Sequence, residues 1–178
     1  KDSDMGIAMG SGSSASRSVA ELVLLDNRFA TLPEVLAQGR RVINNVERVA
    51  NLFVTKAAYA VVLTVLIGLQ QAPFPLLPRH LTLVGTFSIG VPGFFLALAG
   101  NTDLVRPGFL RRVLRFAVPA GVVTGLVTWG VYNLGRHSVV GELSLMEERT
   151  LTTITLLGIG LVVLVVVSRP LRLWKLIL

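Results

Sequence analysis

From Pro33 to Leu69 the chain reads PEVLAQGRRVINNVERVANLFVTKAAYAVVLTVLIGL, and after Pro33 no proline interrupts it. Proline is tolerated in the first turn of a helix, and Thr31 stands just ahead of it as a candidate cap. One continuous helix of roughly 55 Å is therefore expected, at ~1.5 Å per residue. Its two halves suit different solvents. Up to Arg48 it is polar and basic (Arg40, Arg41, Asn44, Asn45, Glu47), whereas Val49 to Leu69 is apolar save for Asn51, Thr55, Lys56, Tyr59 and Thr64. About 20 apolar residues are enough to span a bilayer. The sequence thus predicts a helix that leaves a membrane and runs on, unbroken, into a soluble part. Movement there would be felt in the membrane.

Three more apolar spans follow, near 81–100, 116–134 and 151–168, and residues 171–178 open another. With 52% hydrophobic residues and a mean hydropathy of +0.70, the chain is too apolar for an ordinary soluble domain. It starts at Lys1 without a signal-peptide pattern and stops at Leu178 inside an apolar run, so both ends read as cuts in a larger protein. The absence of cysteine excludes disulfides and thiolate metal sites within it. A net charge of +7 invites a nucleic-acid reading, but the basic residues flank the spans. Arg40, Arg41, Arg48, Arg106, Arg111, Arg112, Arg115, Arg169, Arg172 and Lys175 fall on one side, and only Arg79, Arg136 and Arg149 on the other. That bias marks the Arg40 side as cytoplasmic and needs no nucleic acid.

Residues 1–32 form the soluble part. Met5 to Met9 is a buried-strand candidate, Gly10-Ser11-Gly12 a turn, Ser13 to Glu21 a short helix and Leu22 to Leu25 a second strand. A β-α-β unit of this size cannot fold alone, so it belongs to a larger domain. Gly10-Ser11-Gly12-Ser13-Ser14-Ala15 matches a dinucleotide fingerprint, a weak signal when it stands alone. The plainer reading is a tight strand-to-helix turn.

At this point the wording resembles a family. The stretch KDSDMGIAMGSGSSASRSVAELVLLDNRFATL, followed by a basic helix with Arg40 and Asn44-Asn45, is similar to the end of the phosphorylation domain of P-type cation-transporting ATPases. The resemblance implies a mainly α membrane protein. Its transmembrane helix bundle would carry the last β-α-β unit of a haloacid-dehalogenase-like Rossmannoid domain. Residues 1–32 would be the tail of that domain, 33–48 a cytoplasmic stalk and 49–178 the transmembrane domain. More than two spans after the soluble part looks like the ten-helix layout of calcium pumps, and most like the bacterial group that includes the calcium-transporting type E. An ATP-driven export of a divalent cation, Ca²⁺ by likeness, across the plasma membrane would follow. ATP and Mg²⁺ would bind outside this chain, which holds no catalytic residue. The implied partners are membrane lipid, the N-terminal part of the same pump and the transported cation. A lipid or polyamine pump and a non-enzymatic scaffold or channel subunit are the alternatives.

The departures from that family matter. Where calcium pumps place an asparagine and a glutamate in the equivalent of the 49–69 span, this chain has Ala57 and Ala60. Where they place an asparagine, a threonine and an aspartate before a Gly-x-Pro, it has Gly85, Ser88 and Ile89. No carboxylate lies inside either span, although dehydrated divalent cations favour several oxygens with carboxylates among them. The metal ligands are thus unknown from sequence. Oxygen must come from hydroxyls and backbone. Gly90-Val91-Pro92-Gly93 should unwind the second span, because proline removes a helical donor, and such breaks mark binding sites or simple kinks. Thr86 and Ser88 precede it by about a turn. Lys56, roughly 10 Å inside the first span by helical rise, either pairs or snorkels. Tyr59 shares its face. The expected ion path is therefore Thr86, Ser88, Gly90, Val91, Pro92, Lys56 and Tyr59. Gly121, Gly125, Gly158 and Gly160 are expected to pack helices. Glu142, Glu147 and Glu148 are expected to be solvated.

Overall fold

The computed structural model describes residues 5–101, 103–137 and 143–169. The soluble end holds two short parallel strands, β1 (Ile7–Met9) and β2 (Leu22–Leu24), with Ile7 opposite Leu22 and Met9 opposite Leu24. Helix α1 (Ser14–Val19) connects them, and the Ser13 hydroxyl caps it by accepting from the Ser16 amide at 3.1 Å. The helix is shorter than the expected Ser13–Glu21. The backbone extends at Ala20, and the Glu21 carboxylate turns back to accept from the Gly6 amide at 2.5 Å. At the turn, a Cβ on Gly10 would lie 3.1 Å from the Leu25 Cα, and one on Gly12 3.0 Å from the Met9 carbonyl oxygen. Close packing of turn on strand accounts for both glycines.

Helix α2 runs from Leu32 to Leu69 as one piece of 38 residues. Thr31 does not cap it; the Thr31 hydroxyl donates instead to the Arg28 carbonyl at 2.7 Å, within the preceding 3₁₀ turn Phe29–Thr31. The second span is α3 (Pro78–Gly85), a π turn (Thr86–Gly90) and α4 (Val91–Leu98). Helices α5 (Phe109–Arg136) and α6 (Leu145–Val167) complete the described bundle. Four helical rods, Phe29–Leu69, Pro78–Leu98, Phe109–Arg136 and Leu145–Val167, are long and apolar enough to cross a bilayer. They contain the four expected spans, with small differences at the ends. The segment opening at 171 lies outside the described residues.

The bundle is built on α2. A Cβ on Gly125 of α5 would fall 2.7 Å from Val62 Cγ1, and one on Gly121 would run into Ala58 and lie 2.8 Å from the Thr55 carbonyl oxygen. Without side chains at 121 and 125, two backbones meet directly, the geometry that small residues allow in lipid. Above this contact, Tyr59, Leu63, Ile67, Leu76, Val84 and Leu156 form an apolar core; Leu52, Ile89 and Leu96 form a second. Gly160 also packs, with a Cβ there meeting Ser88 Cβ at 3.0 Å, whereas Gly158 has nothing within 4 Å among the described residues. Of the glutamates before and at the start of α6, Glu147 is exposed as expected and one other differs. Glu147 closes a capping box with Ser144, accepting from its amide and its hydroxyl at 2.8 Å. Glu148 is buried, at 8% exposure, rather than solvated; Glu142 lies outside the described residues.

Candidate functional site

The second span is not unwound at Gly90-Val91-Pro92-Gly93. It stays helical and widens one turn earlier, with the Val91 amide reaching the Thr86 carbonyl, five residues back. Pro92 falls in the first turn of α4, where its missing N–H costs least. The π turn is the compromise between a proline and a continuous rod, and π turns recur at functional sites. A carbonyl about one turn before Pro92, at Phe87 or Ser88, still loses the amide that a non-proline residue would offer.

The candidate residues are split by this geometry. Ser88 and Ile89 are buried towards the bundle, and the Ser88 hydroxyl donates to the Val84 carbonyl at 2.6 Å. Thr86, Gly90 and Val91 are exposed on the side of the span that the other described helices leave uncovered, so Thr86 does not join Ser88. Lys56 is half-buried and does not snorkel freely, and it pairs with no carboxylate among the described residues. Its Nζ reaches across to the second span, 3.0 Å from the point where a Cβ on Gly85 would sit. Tyr59 does not orient it: Tyr59 lies at 5% exposure in the apolar core, with no hydrogen bond to Lys56 among the described residues. Among the described residues, no group of three or more His, Cys, Asp or Glu side chains is placed to hold a metal ion.

The Arg40 end of the bundle holds an arrangement that the sequence did not disclose. The last carbonyls of any helix lack intrahelical donors. At the end of α4 these are met by α2: Arg41 donates to Leu98 at 2.6 Å and Ala99 at 3.3 Å, and Asn45 to Ala97 at 2.9 Å and Ala99 at 2.8 Å. Asn44 adds a bond to the Asp103 carbonyl at 2.9 Å. Beside them Arg112 of α5 forms a two-pronged ion pair with Glu47, at 2.9 and 2.6 Å. Spacings of three and four put Arg41, Asn44 and Asn45 on one face of α2, and that face is the only signal the sequence carried.

A bundle of four helices long and apolar enough to cross a bilayer, with a β-α-β unit leading into the longest of them, is the architecture of a multi-pass membrane protein. No family model matches the chain. It is 47% identical over its whole length to the calcium-transporting ATPase CtpE of Mycolicibacterium smegmatis and 49% identical to that of Mycobacterium tuberculosis. It is 32% identical to the probable cation-transporting ATPase exp7 of Streptococcus pneumoniae, again over the whole chain. The chain belongs to the P-type ATPases. It spans about a quarter, 24%, of the length of these curated relatives.

Proposed function

We propose that this chain is the membrane half of an ATP-driven pump that exports a divalent cation, Ca²⁺ in the first instance, across the plasma membrane. In this reading residues 1–32 are the tail of a haloacid-dehalogenase-like phosphorylation domain, 33–48 the cytoplasmic stalk and 49–178 the transmembrane domain. ATP and Mg²⁺ bind to the part of the pump outside this chain. The observation that carries the reading is the clamp of Arg41 and Asn45 on the last carbonyls of α4. It ties the stalk directly to the span that contains the π turn, so a displacement of the soluble end reaches that turn through hydrogen bonds rather than through lipid.

The cation passes beside this turn. The exposed Thr86 hydroxyl, beside Gly90 and Val91, and the backbone oxygen freed by Pro92 supply neutral oxygen, while Ser88, bonded to Val84, and Tyr59 close the bundle behind them. Lys56 brings a positive charge to the place at Gly85 where a ligand side chain would otherwise stand. Neutral oxygens beside an ammonium do not make a strong divalent site. The carboxylates come from helices of the intact pump that pack on the uncovered face.

The test is ATPase activity of the intact pump against Ca²⁺, Mg²⁺, Mn²⁺, K⁺, polyamines and lipids, wild type beside Pro92→Ala. Pro92→Ala restores the missing amide, lets the turn close to an α-helix and should weaken Ca²⁺-stimulated activity with little loss of fold. Equal apparent Ca²⁺ affinity in both forms would place the site elsewhere, and stimulation by a polyamine or lipid alone would replace the cation.

A further inference from the structure

On the stalk side of the bundle, α2, the loop before α5, the start of α5 and the end of α6 enclose an open cleft of about 270 Å³. Asn44, Glu47, Arg48, Asn51, Asp103, Arg106, Arg112 and Arg169 are among its lining residues. Four guanidinium groups face two carboxylates there. One pair cancels, because Arg112 is held by Glu47 and also donates to the Arg106 and Pro107 carbonyls. That leaves Arg48, Arg106 and Arg169 against Asp103 alone. The Arg48 guanidinium is half-buried, and its one hydrogen bond among the described residues goes to the Arg169 carbonyl at 3.4 Å. No side-chain hydrogen bond or ion pair is made by Arg106 or Arg169 among the described residues. Asn51 presents the opposite need: its carbonyl oxygen is buried and has no donor among the described residues.

An unbalanced positive cleft repels the pumped cation, so it is no part of a cation entrance. What suits it is an anion that also carries a donor. We propose that the cleft binds the phosphate of an anionic phospholipid headgroup, with Arg48, Arg106 and Arg169 on the phosphate and Asn51 accepting from a headgroup hydroxyl, as in a phosphatidylglycerol. The cleft lies where the apolar spans end and the arginines begin, the level at which lipid phosphates stand. Arginine suits the phosphate oxygens, because its planar donors meet them in pairs. The headgroup would fill the angle between the stalk and the loop that the stalk clamps, so occupancy braces the joint. The inference does not depend on which cation is pumped.

The experiment uses the intact pump, reconstituted in phosphatidylcholine vesicles with graded phosphatidylglycerol, and reads the lipid retained after delipidation by native mass spectrometry. Wild type should retain phosphatidylglycerol in preference to phosphatidylcholine. The double variant Arg48→Gln, Arg106→Gln should bind it about 25-fold more weakly, roughly five-fold for each charge removed near a membrane surface. Arg48→Lys, Arg106→Lys, which keeps both charges, should lose much less. Because retention is read without turnover, a wrong cation assignment leaves the result untouched. Absence of any preference in the wild type overturns the proposal even if the glutamine variant fails to fold. Displacement of the lipid by equal concentrations of inorganic phosphate or glycerol phosphate also overturns it, showing a site for a soluble anion.

Discussion

The ammonium of Lys56 stands 3.0 Å from where a side chain on Gly85 would begin. Lysine on α2 and glycine on the second span are therefore complementary, one filling the volume that the other leaves. Gly85→Ala should displace the flexible tip of Lys56 at small cost in stability, whereas Gly85→Asn should evict it. In intact pump, Gly85→Asn and Lys56→Ala are expected to couple. The pair measured together should differ from the sum of the single effects by about 0.5–3 kcal/mol in thermal-denaturation analysis. Strict additivity would show that the two residues do not meet.

Lys56→Met removes the charge while keeping the volume. With the ammonium gone from the π turn, the ratio of Ca²⁺ moved to ATP hydrolysed should change, or the apparent Ca²⁺ affinity should shift, with Lys56→Arg milder. A methionine variant that transports with unchanged stoichiometry at equal expression would remove Lys56 from the ion path.

Asn45 is 4% exposed and donates to two carbonyls at the end of α4. Asn45→Ala leaves the Ala97 carbonyl without its donor, at a cost of about 1–3 kcal/mol, and loosens the α4 end on α2, which Arg41 alone then holds. The expected outcome is hydrolysis that persists while transport per ATP falls. A variant with lowered melting temperature but intact coupling would make the clamp structural only.

Much of the fold was legible in the sequence. The proline-free run from Pro33 to Leu69 fixed the longest helix, because nothing in it breaks a helical ladder and its polarity changes once. The turn at Gly10 to Gly12 and the strands beside it were readable from glycine and from short apolar runs. The site was less so. Pro92 announces a disturbance, but whether the helix unwinds or widens depends on what holds its two ends. Here Ser88 bonds back to Val84 and the α4 end is held by α2. Periodicity places Tyr59 on the face of Lys56, yet not whether that face meets Leu63 and Leu156 or open space. The exposure of Glu148 was misjudged for the same reason, since a charged residue at a helix start looks solvated until the neighbouring helix is known.

Gly121→Leu should wedge α5 away from Ala58 of α2, at about 1–3 kcal/mol by the usual cost of overpacking. Gly130→Ala, in the same helix with nothing within 4 Å among the described residues, should stabilise by up to about 1 kcal/mol. Melting temperatures of the two variants in detergent make the comparison, and similar values would deny the close contact.

Hydrogen bonding from the Gly6 amide to Glu21, then from the Glu21 amide, holds the exposed Glu21 carboxyl below its ordinary range against a small opposing effect of burial. A folded-state value lower than the unfolded one favours the native β-α-β unit above the ordinary carboxylate range. That contribution fades as pH falls through the depressed value. Protection of the Gly6 amide, taken relative to its intrinsic exchange rate at each pH, should fall on acidification into that window, and Glu21→Gln should flatten the dependence. A Gly6 amide equally protected across the window in both forms would show that the contact is not kept in solution.

The direct meeting of α2 and α5 backbones at Gly121 and Gly125 also decides what can slide. Two rods separated by long side chains can shear as those side chains change rotamer. Two rods with Ala58 and Val62 seated in glycine notches must first lift apart, so they turn as a pair. The second span has no such notch on α2; it meets α2 through side chains, Leu52 against Ile89 and Leu96 and the tip of Lys56 at Gly85, and through a few hydrogen bonds. When the Arg40 end of α2 is pushed, α5 travels with it, and relative motion collects on the other side, at the widened turn. A piston and a joint are thus set within one helix's reach by where glycine was placed.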